Sequence, residues 1–355
     1  MRNIKFNIKF DIKFDIKYGH IIHIHYLSTL FIMETYEDTK YFTDKEHLKE
    51  TLSKYGVAII PNVLNSQECK QMTDGMWDYF EHITQEWPIP ISRRSIPSWR
   101  EMYKLYPKHS MLFQHHGVGH MQTIWDTRQH PDIVDIFAHF WSCTPEDLLV
   151  SFDGCSFNVP PEETNRGWNR NNTWYHCDQS PTRNGFECVQ SWVTGLDVNE
   201  GDATLAFMEG SQAYHGEFGQ HFGVTEKKNW YKLQREEEQF YIDKGCAYKK
   251  IKCPKGSLVF WDSRTIHCGT EAMRERPTPT FRAVIYLCYM PRHTSTERML
   301  RKKQKAFNEL RTTSHWANKP TLFSKDPRTY GGVLMDYTPI DPPIVSELGR
   351  TLAGF

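Results

Sequence analysis

Asn171–Pro181 reads NNTWYHCDQSP and Gly256–Thr270 reads GSLVFWDSRTIHCGT. The first stretch carries His176-Cys177-Asp178, and the second runs through five apolar or aromatic positions to His267. Side chains of an extended chain alternate faces, so residues two apart project from the same side. A His-x-Asp on a strand therefore presents an imidazole and a carboxylate together. A third ligand has to come from another strand folded against the first. Two imidazoles and one carboxylate are the protein ligands of a facial-triad iron(II) site. His176, Asp178 and His267 are thus the candidate metal-binding and catalytic residues.

Pro279–Arg292, PTFRAVIYLCYMPR, adds a third piece. Arg282 is the only charge within its apolar run. Period two puts Arg282, Val284, Tyr286 and Cys288 on one face and Phe281, Ala283, Ile285 and Leu287 on the other. A charge on a strand apolar on both faces needs a buried counter-charge. A dicarboxylate supplies one in bidentate form. An iron triad with one buried arginine points to a 2-oxoglutarate-dependent oxygenase. Its reactants would be Fe(II), 2-oxoglutarate and O2, with ascorbate as reductant.

The 355 residues are 39% hydrophobic and 24% charged, with 43 basic and 43 acidic side chains. That balance suits a soluble globular protein with a sizeable core. Zero net charge gives no bulk argument for nucleic acid or an anionic membrane as partner; a small-molecule substrate is the leading expectation, with a protein or nucleic-acid substrate, or ligand binding without turnover, as the alternatives. The 9 cysteines form no CxxC pair. Scattered thiols of this kind suit a reducing, cytoplasmic setting. Cys177 and Cys268 flank proposed ligands and read as small residues filling a crowded site. Oligomeric state is not written in the pattern.

Residues 1–32 form a low-complexity extension. Ile4-Lys5-Phe6-Asn7 recurs as Ile8-Lys9-Phe10-Asp11, Ile12-Lys13-Phe14-Asp15 and Ile16-Lys17-Tyr18. The apolar stretch after it is short for a membrane span and is interrupted by His23 and His25. The extension is expected to be disordered, and residues 33–355 to form one domain. Thr43-x-x-Glu46 and Asn65-x-x-Glu68 read as capping boxes for helices to Tyr55 and Trp87. Val57–Pro61 reads as a short buried strand between them. Pro131–Trp141 reads as a helix with proline in its first turn. From Leu148 the pattern turns to β-rich runs broken by Gly, Pro and Asn. Thr294-x-x-Glu297 opens a last helix to Leu310. The expected fold is α+β: a double-stranded β-helix (jelly roll, cupin-like) at 148–292 with a flanking helical layer, then a C-terminal helix and tail at 293–355.

These segments resemble the phytanoyl-CoA dioxygenase family of iron(II)/2-oxoglutarate oxygenases. Tyr55–Cys69 (YGVAIIPNVLNSQEC) resembles its opening helix–strand–helix, and Trp174–Gln179 (WYHCDQ) its HxD segment. Cys188–His215 resembles the next two strands and a Gly-Ser turn, and Pro254–Thr270 the distal-histidine segment. The resemblance implies hydroxylation of an organic substrate with release of succinate and CO2. Halogenating relatives replace the triad carboxylate, so Asp178 favours hydroxylation. Gln190 and Trp192, on one strand face, correspond to positions that point toward the cosubstrate. Two departures stand out. Gln212 occupies a place usually held by histidine. Arg282 also lies farther past the distal histidine than usual, which leaves Arg276 as the competing cosubstrate anchor.

Other polar clusters compete for attention. His115, His116 and His120 complete no zinc set, but His120, Gln122 and Trp125 could line a substrate pocket. His215 is the main decoy for the distal ligand. Residues 216–250 read as a long charged insertion near the mouth of the site. A mobile lid using Phe222, Trp230, Tyr231, Phe240 and Tyr241 is the expectation, against an ordinary surface helix over Trp230–Tyr241.

Overall fold

The computed structural model describes residues 35–37, 39–106, 112–170, 173–324, 329 and 336–355. The tetrapeptide extension lies outside them. Glu34–Phe355 forms one compact unit. Its strands in chain order are β1 (Thr35–Glu37), β2 (Val57–Ile60), β3 (Leu148–Val150), β4 (Cys155–Asn158), β5 (His176–Cys177), β6 (Val189–Thr194) and β7 (Thr204–Met208). They continue with β8 (Tyr231–Lys232), β9 (Tyr248–Ile251), β10 (Leu258–Asp262), β11 (His267–Thr270), β12 (Arg282–Leu287) and β13 (Tyr289–Pro291). The helices are α1 (Leu48–Tyr55), α2 (Ser66–Ile83), α3 (Gln122–Arg128), α4 (Pro131–Trp141), α5 (Pro161–Thr164), α6 (His215–His221), α7 (Arg235–Asp243), α8 (Glu297–Asn308) and α9 (Glu347–Leu352).

Helix and sheet are mixed, and the sheets are antiparallel except for the β1–β9 pair. One sheet has the order β1-β9-β7-β11-β5-β8 and the other β2-β10-β6-β12-β4, while β13 pairs with β3. Alternation along each strand builds the layers. Ile59, Trp192, Val259 and Val284 from the five-stranded sheet meet Leu205, Phe207 and Ile251 from the six-stranded one. Their strand neighbours Ala58, Val193, Phe260 and Ala283 turn the other way, onto Phe80 of α2, Trp125 of α3 and Phe137 of α4. On the far side of the six-stranded sheet, Cys177, Ala206, Met208 and Cys268 pack against Phe218 of α6 and Phe240 and Tyr241 of α7.

Local signals set several boundaries. The Asn65 box forms in full: its side chain accepts from Gln67 N and Glu68 N, and Glu68 Oε2 accepts from Asn65 N at 2.7 Å. Such a cap is worth about 1 kcal/mol. The Thr43 box does not form. Thr43 N donates to the Ile59 carbonyl at 2.9 Å, which holds this segment extended beside β2, so α1 starts at Leu48. The last helix starts later than its Thr294 signal, at Glu297, because Thr296 caps Met299 N while the Thr294 hydroxyl donates to Pro291 O. The run from Leu148 splits into β3 and β4 at Gly154, where a Cβ would collide with the Phe113 carbonyl. Gly256 turns the chain into β10 at φ +77°, and a Cβ there would strike the Leu64 carbonyl.

Residues 216–250 depart from the lid expectation. They fold as α6, β8 and α7, and β8 pairs with β5. Phe222, Phe240 and Tyr241 go into the core against the six-stranded sheet instead of reaching for ligand. Amphipathic burial has won over the glycines and charges that suggested a loop. The irregular, largely exposed stretch is Gly223–Lys228, between α6 and β8. Limited proteolysis should cut there first; initial cleavage inside α6 or α7 would contradict this packing.

Candidate metal centre

β5 and β11 pair so that His176 stands directly opposite His267. Asp178, just past β5, is held by its N–H donating to the Ser263 carbonyl at 2.8 Å. The three side chains converge. His176 Nε2 lies 3.7 Å from Asp178 Oδ1 and His267 Nε2 3.3 Å from Asp178 Oδ2. Ligand atoms of all three fall within 4.8 Å of one another, and all three residues are buried. Among the described residues no other group of His, Cys, Asp or Glu gathers in this way.

The surroundings orient these atoms. His176 Nδ1 lies 3.2 Å from the Trp174 carbonyl and His267 Nδ1 2.9 Å from the Thr265 carbonyl. A carbonyl can only accept, so each Nδ1 carries the proton and each Nε2 keeps a lone pair facing Asp178. Gln190 Nε2 donates to Asp178 Oδ2 at 2.9 Å. Trp174 stacks on His176 with 8° between the planes, its own indole N–H bound to the Gly269 carbonyl. Burial would raise the Asp178 carboxyl, but His176 and His267, once a proton is on their Nε2 atoms, outweigh it and hold it well below the usual range, so the carboxylate stays ionised. Burial, reinforced by His267, lowers His176 and favours the neutral, ligating imidazole.

Arg282 projects from the inner face of β12 with its guanidinium 5.4 Å from the Trp192 ring. Its protein partners are neutral: Ser156 Oγ at 3.2 Å and the Ala203 carbonyl at 2.8 Å. Arg276 differs. It is satisfied by Glu162 at 2.6 Å and Asp202 at 2.9 Å. Trp192 Nε1 is buried and has no hydrogen-bond partner among the described residues. Gln190 and Trp192 are two apart on β6, so the inner face runs from Asp178 through Gln190 and Trp192 to Arg282. Two free imidazole lone pairs, a carboxylate, an orphaned indole N–H and a cation without a carboxylate are a donor set that fits a divalent metal and an anionic chelator.

The remaining candidates lie elsewhere. His120, Gln122 and Trp125 do not line the triad. His120 is buried among the helices with Nε2 on the Arg311 carbonyl, Trp125 is core, and Gln122 binds Ile344 at the surface. His115 lies near the Ser324 carbonyl, and His116 packs on Tyr337. His215 contacts the Ser180 carbonyl at 3.2 Å and is outside the triad. Cys177 and Cys268 face the α6–α7 layer, away from the ligands. His315 escaped notice in the sequence because no spacing ties it to the triad. Its Nε2 is buried and has no partner among the described residues, and burial lowers its basicity against the pull of the nearby Asp178 carboxylate.

Comparison with known proteins fits this geometry. "Ava biosynthesis cluster protein O" of Aspergillus versicolor is 25% identical over 289 residues, covering 77% of this chain and 88% of that protein. GlcNAc Inducible Gene 2 of Candida albicans shares the fold at TM-score 0.51 and 13% identity, over 78% of this chain and 70% of that one. A protein of Salmonella typhimurium LT2 does so at TM-score 0.54 and 12% identity, over 89% and 86%. Residues 52–274, which include the HxD, the distal histidine and the strands that hold them, match the phytanoyl-CoA dioxygenase (PhyH) family, and the chain belongs to that family.

Proposed function

We propose that this chain is an iron(II)- and 2-oxoglutarate-dependent dioxygenase, built on a jelly-roll core, that hydroxylates a small organic substrate. The observation that carries the reading is the pair of Nδ1-tethered imidazoles whose Nε2 atoms meet the Asp178 carboxylate. His176, Asp178 and His267 would hold the metal. Arg282 would bind the distal carboxylate of 2-oxoglutarate, with Trp192 beneath it. When bound, the iron and 2-oxoglutarate supply oxidation of a C–H bond by O2, with succinate and CO2 released.

The residues contribute positioning. Gln190 engages one carboxylate oxygen of Asp178 and so selects which oxygen is free to ligate. The carbonyls of Trp174 and Thr265 fix the tautomer and the ring orientation of the two histidines. Trp174 shields one side of His176 from water. The inter-sheet aromatics Trp192 and Trp261 exclude water from the cosubstrate side. A small-molecule substrate agrees with a relative named for a biosynthesis cluster. Nine free thiols agree with a reducing cytoplasmic setting; no helix among the described residues is long and apolar enough to cross a membrane.

The test is succinate formation from 2-oxoglutarate with and without Fe(II), ascorbate present. Iron-dependent succinate supports an enzyme. Its absence, with metal bound, would favour a jelly-roll protein that binds ligand without turnover. Two further outcomes are expected. Gln190→Ala should weaken metal affinity by roughly 10–100-fold, as loss of outer partners does, without unfolding the chain. His176 has its basicity lowered, so it stays neutral as pH falls past the ordinary histidine value. Proton competition at His176 itself should therefore set in only below the ordinary histidine value; NMR titration of the His176 ring checks this, and a midpoint at the ordinary value would contradict it.

A further inference from the structure

We propose that Trp230 and His315 form the substrate subsite of this centre, and that it takes a flat conjugated molecule bearing a carbonyl or hydroxyl oxygen. This deepens the reading of the triad as an iron centre and rests on it. Trp230 is half exposed, yet its ring centroid lies 5.7 Å from that of His176. Its φ is +82°, in the left-handed region that a bulky side chain avoids. Backbone strain persists where the surroundings over-determine it, and it concentrates at ligand clamps. Both chain neighbours fix Trp230. Asn229 Oδ1 accepts from Ser180 N at 3.4 Å and from the Arg183 guanidinium, and Tyr231 pairs with Cys177 across β8 and β5. An indole is therefore presented to solvent beside the histidine ligand, and His176 is its one partner ring among the described residues.

His315 comes from a separate part of the chain. The segment 312–318 is fastened to the five-stranded half of the molecule: Thr313 N donates to the Phe152 carbonyl at 3.0 Å, and Trp316 packs on Cys188, Cys288 and Met290. Cys188 immediately precedes β6, the strand whose Gln190 holds Asp178. The anchored segment holds His315 near enough to Asp178 to interact with its charge, and the His315 Nε2 is buried and without a partner among the described residues. A buried polar atom without a partner is a retained cost that a ligand's polar atom would remove. Trp230 comes from the edge of the six-stranded sheet beside β8, and His315 from a segment packed against Phe152, Cys188, Cys288 and Met290, so two separate parts of the chain supply side chains beside the triad. An indole face recognises a conjugated ring face, and an imidazole nitrogen recognises a hydroxyl or carbonyl oxygen.

The experiment uses the full chain loaded with Mn(II) and 2-oxoglutarate, which removes turnover, and titrates three probes calorimetrically. 2-Acetonaphthone has both features, 2-ethylnaphthalene lacks the oxygen, and 2-acetyldecalin lacks the aromatic rings. The first should bind tightest, by roughly fivefold over each of the others. His315→Ala should erase its advantage over 2-ethylnaphthalene without changing the latter's affinity, and His315→Gln should restore part of it. Trp230→Ala should erase its advantage over 2-acetyldecalin. No binding of 2-acetonaphthone, or unchanged preferences in both variants, would overturn the subsite. Mn(II) content measured on the same samples separates the two ideas: metal bound with unselective probes refutes the subsite alone, whereas failure to bind metal refutes the iron centre beneath it.

Discussion

His267→Ala should abolish 2-oxoglutarate turnover and metal binding while the chain stays folded. The loss should exceed the roughly 10–100-fold that removal of an outer partner costs, because one of the three proposed ligands disappears. The fold should survive, since His267 sits at the start of β11 and the strand is held by Cys268, Gly269 and Thr270 pairing with β7. His176→Ala and Asp178→Ala should behave alike. Metal content by elemental analysis, succinate release and circular dichroism together check this. Turnover retained in His267→Ala would require another ligand, and His215 is poorly placed to be one, being directed at the Ser180 carbonyl.

Arg282→Ala should raise the 2-oxoglutarate requirement and leave metal binding almost untouched. A hydrogen bond to a charged group contributes about 1.5–3 kcal/mol, so the rise should be roughly 10- to 150-fold. Arg282→Lys should recover only part, because an ammonium cannot reproduce the planar bidentate fork. Arg276→Ala is the contrasting control. Its guanidinium bridges Glu162 and Asp202, so its removal should lower thermal stability and leave 2-oxoglutarate affinity unchanged. A cosubstrate defect in Arg276→Ala but not in Arg282→Ala would reverse the assignment.

Much of this was legible in the sequence, for definite physical reasons. The HxD of β5 and the apolar run of β10 before His267 follow from period-two alternation, which is local. The Asn65 box and Pro131 helix start are equally local. Arg282 stood out because a lone charge in an apolar strand is costly wherever the strand goes. Its separation from Arg276, however, needed the partners: Glu162 lies far from Arg276 in sequence, and only folding brings the two together. The Thr43 box misled because tertiary pairing to Ile59 took its N–H, and the Thr294 box because the hydroxyl turns back locally onto the Pro291 carbonyl while Thr296 caps the helix. Residues 216–250 misled because charge and glycine mark exposure, whereas Phe218, Phe240 and Tyr241 bury against a sheet whose outer face was not visible in the pattern. His315 was missed for a related reason: nothing in its neighbours announces that residues 312–318 return to the triad.

Fe(II) and 2-oxoglutarate added together under anaerobic conditions test the central claim most directly, through the visible charge-transfer absorption that arises when an α-keto acid chelates ferrous iron. The band should appear in the unaltered chain, require both additions, vanish in His267→Ala, and saturate only at higher 2-oxoglutarate in Arg282→Ala. No band in the unaltered chain at saturating concentrations, or a band of equal strength in His267→Ala, would contradict the assignment of His176, Asp178 and His267 as an iron site that takes 2-oxoglutarate.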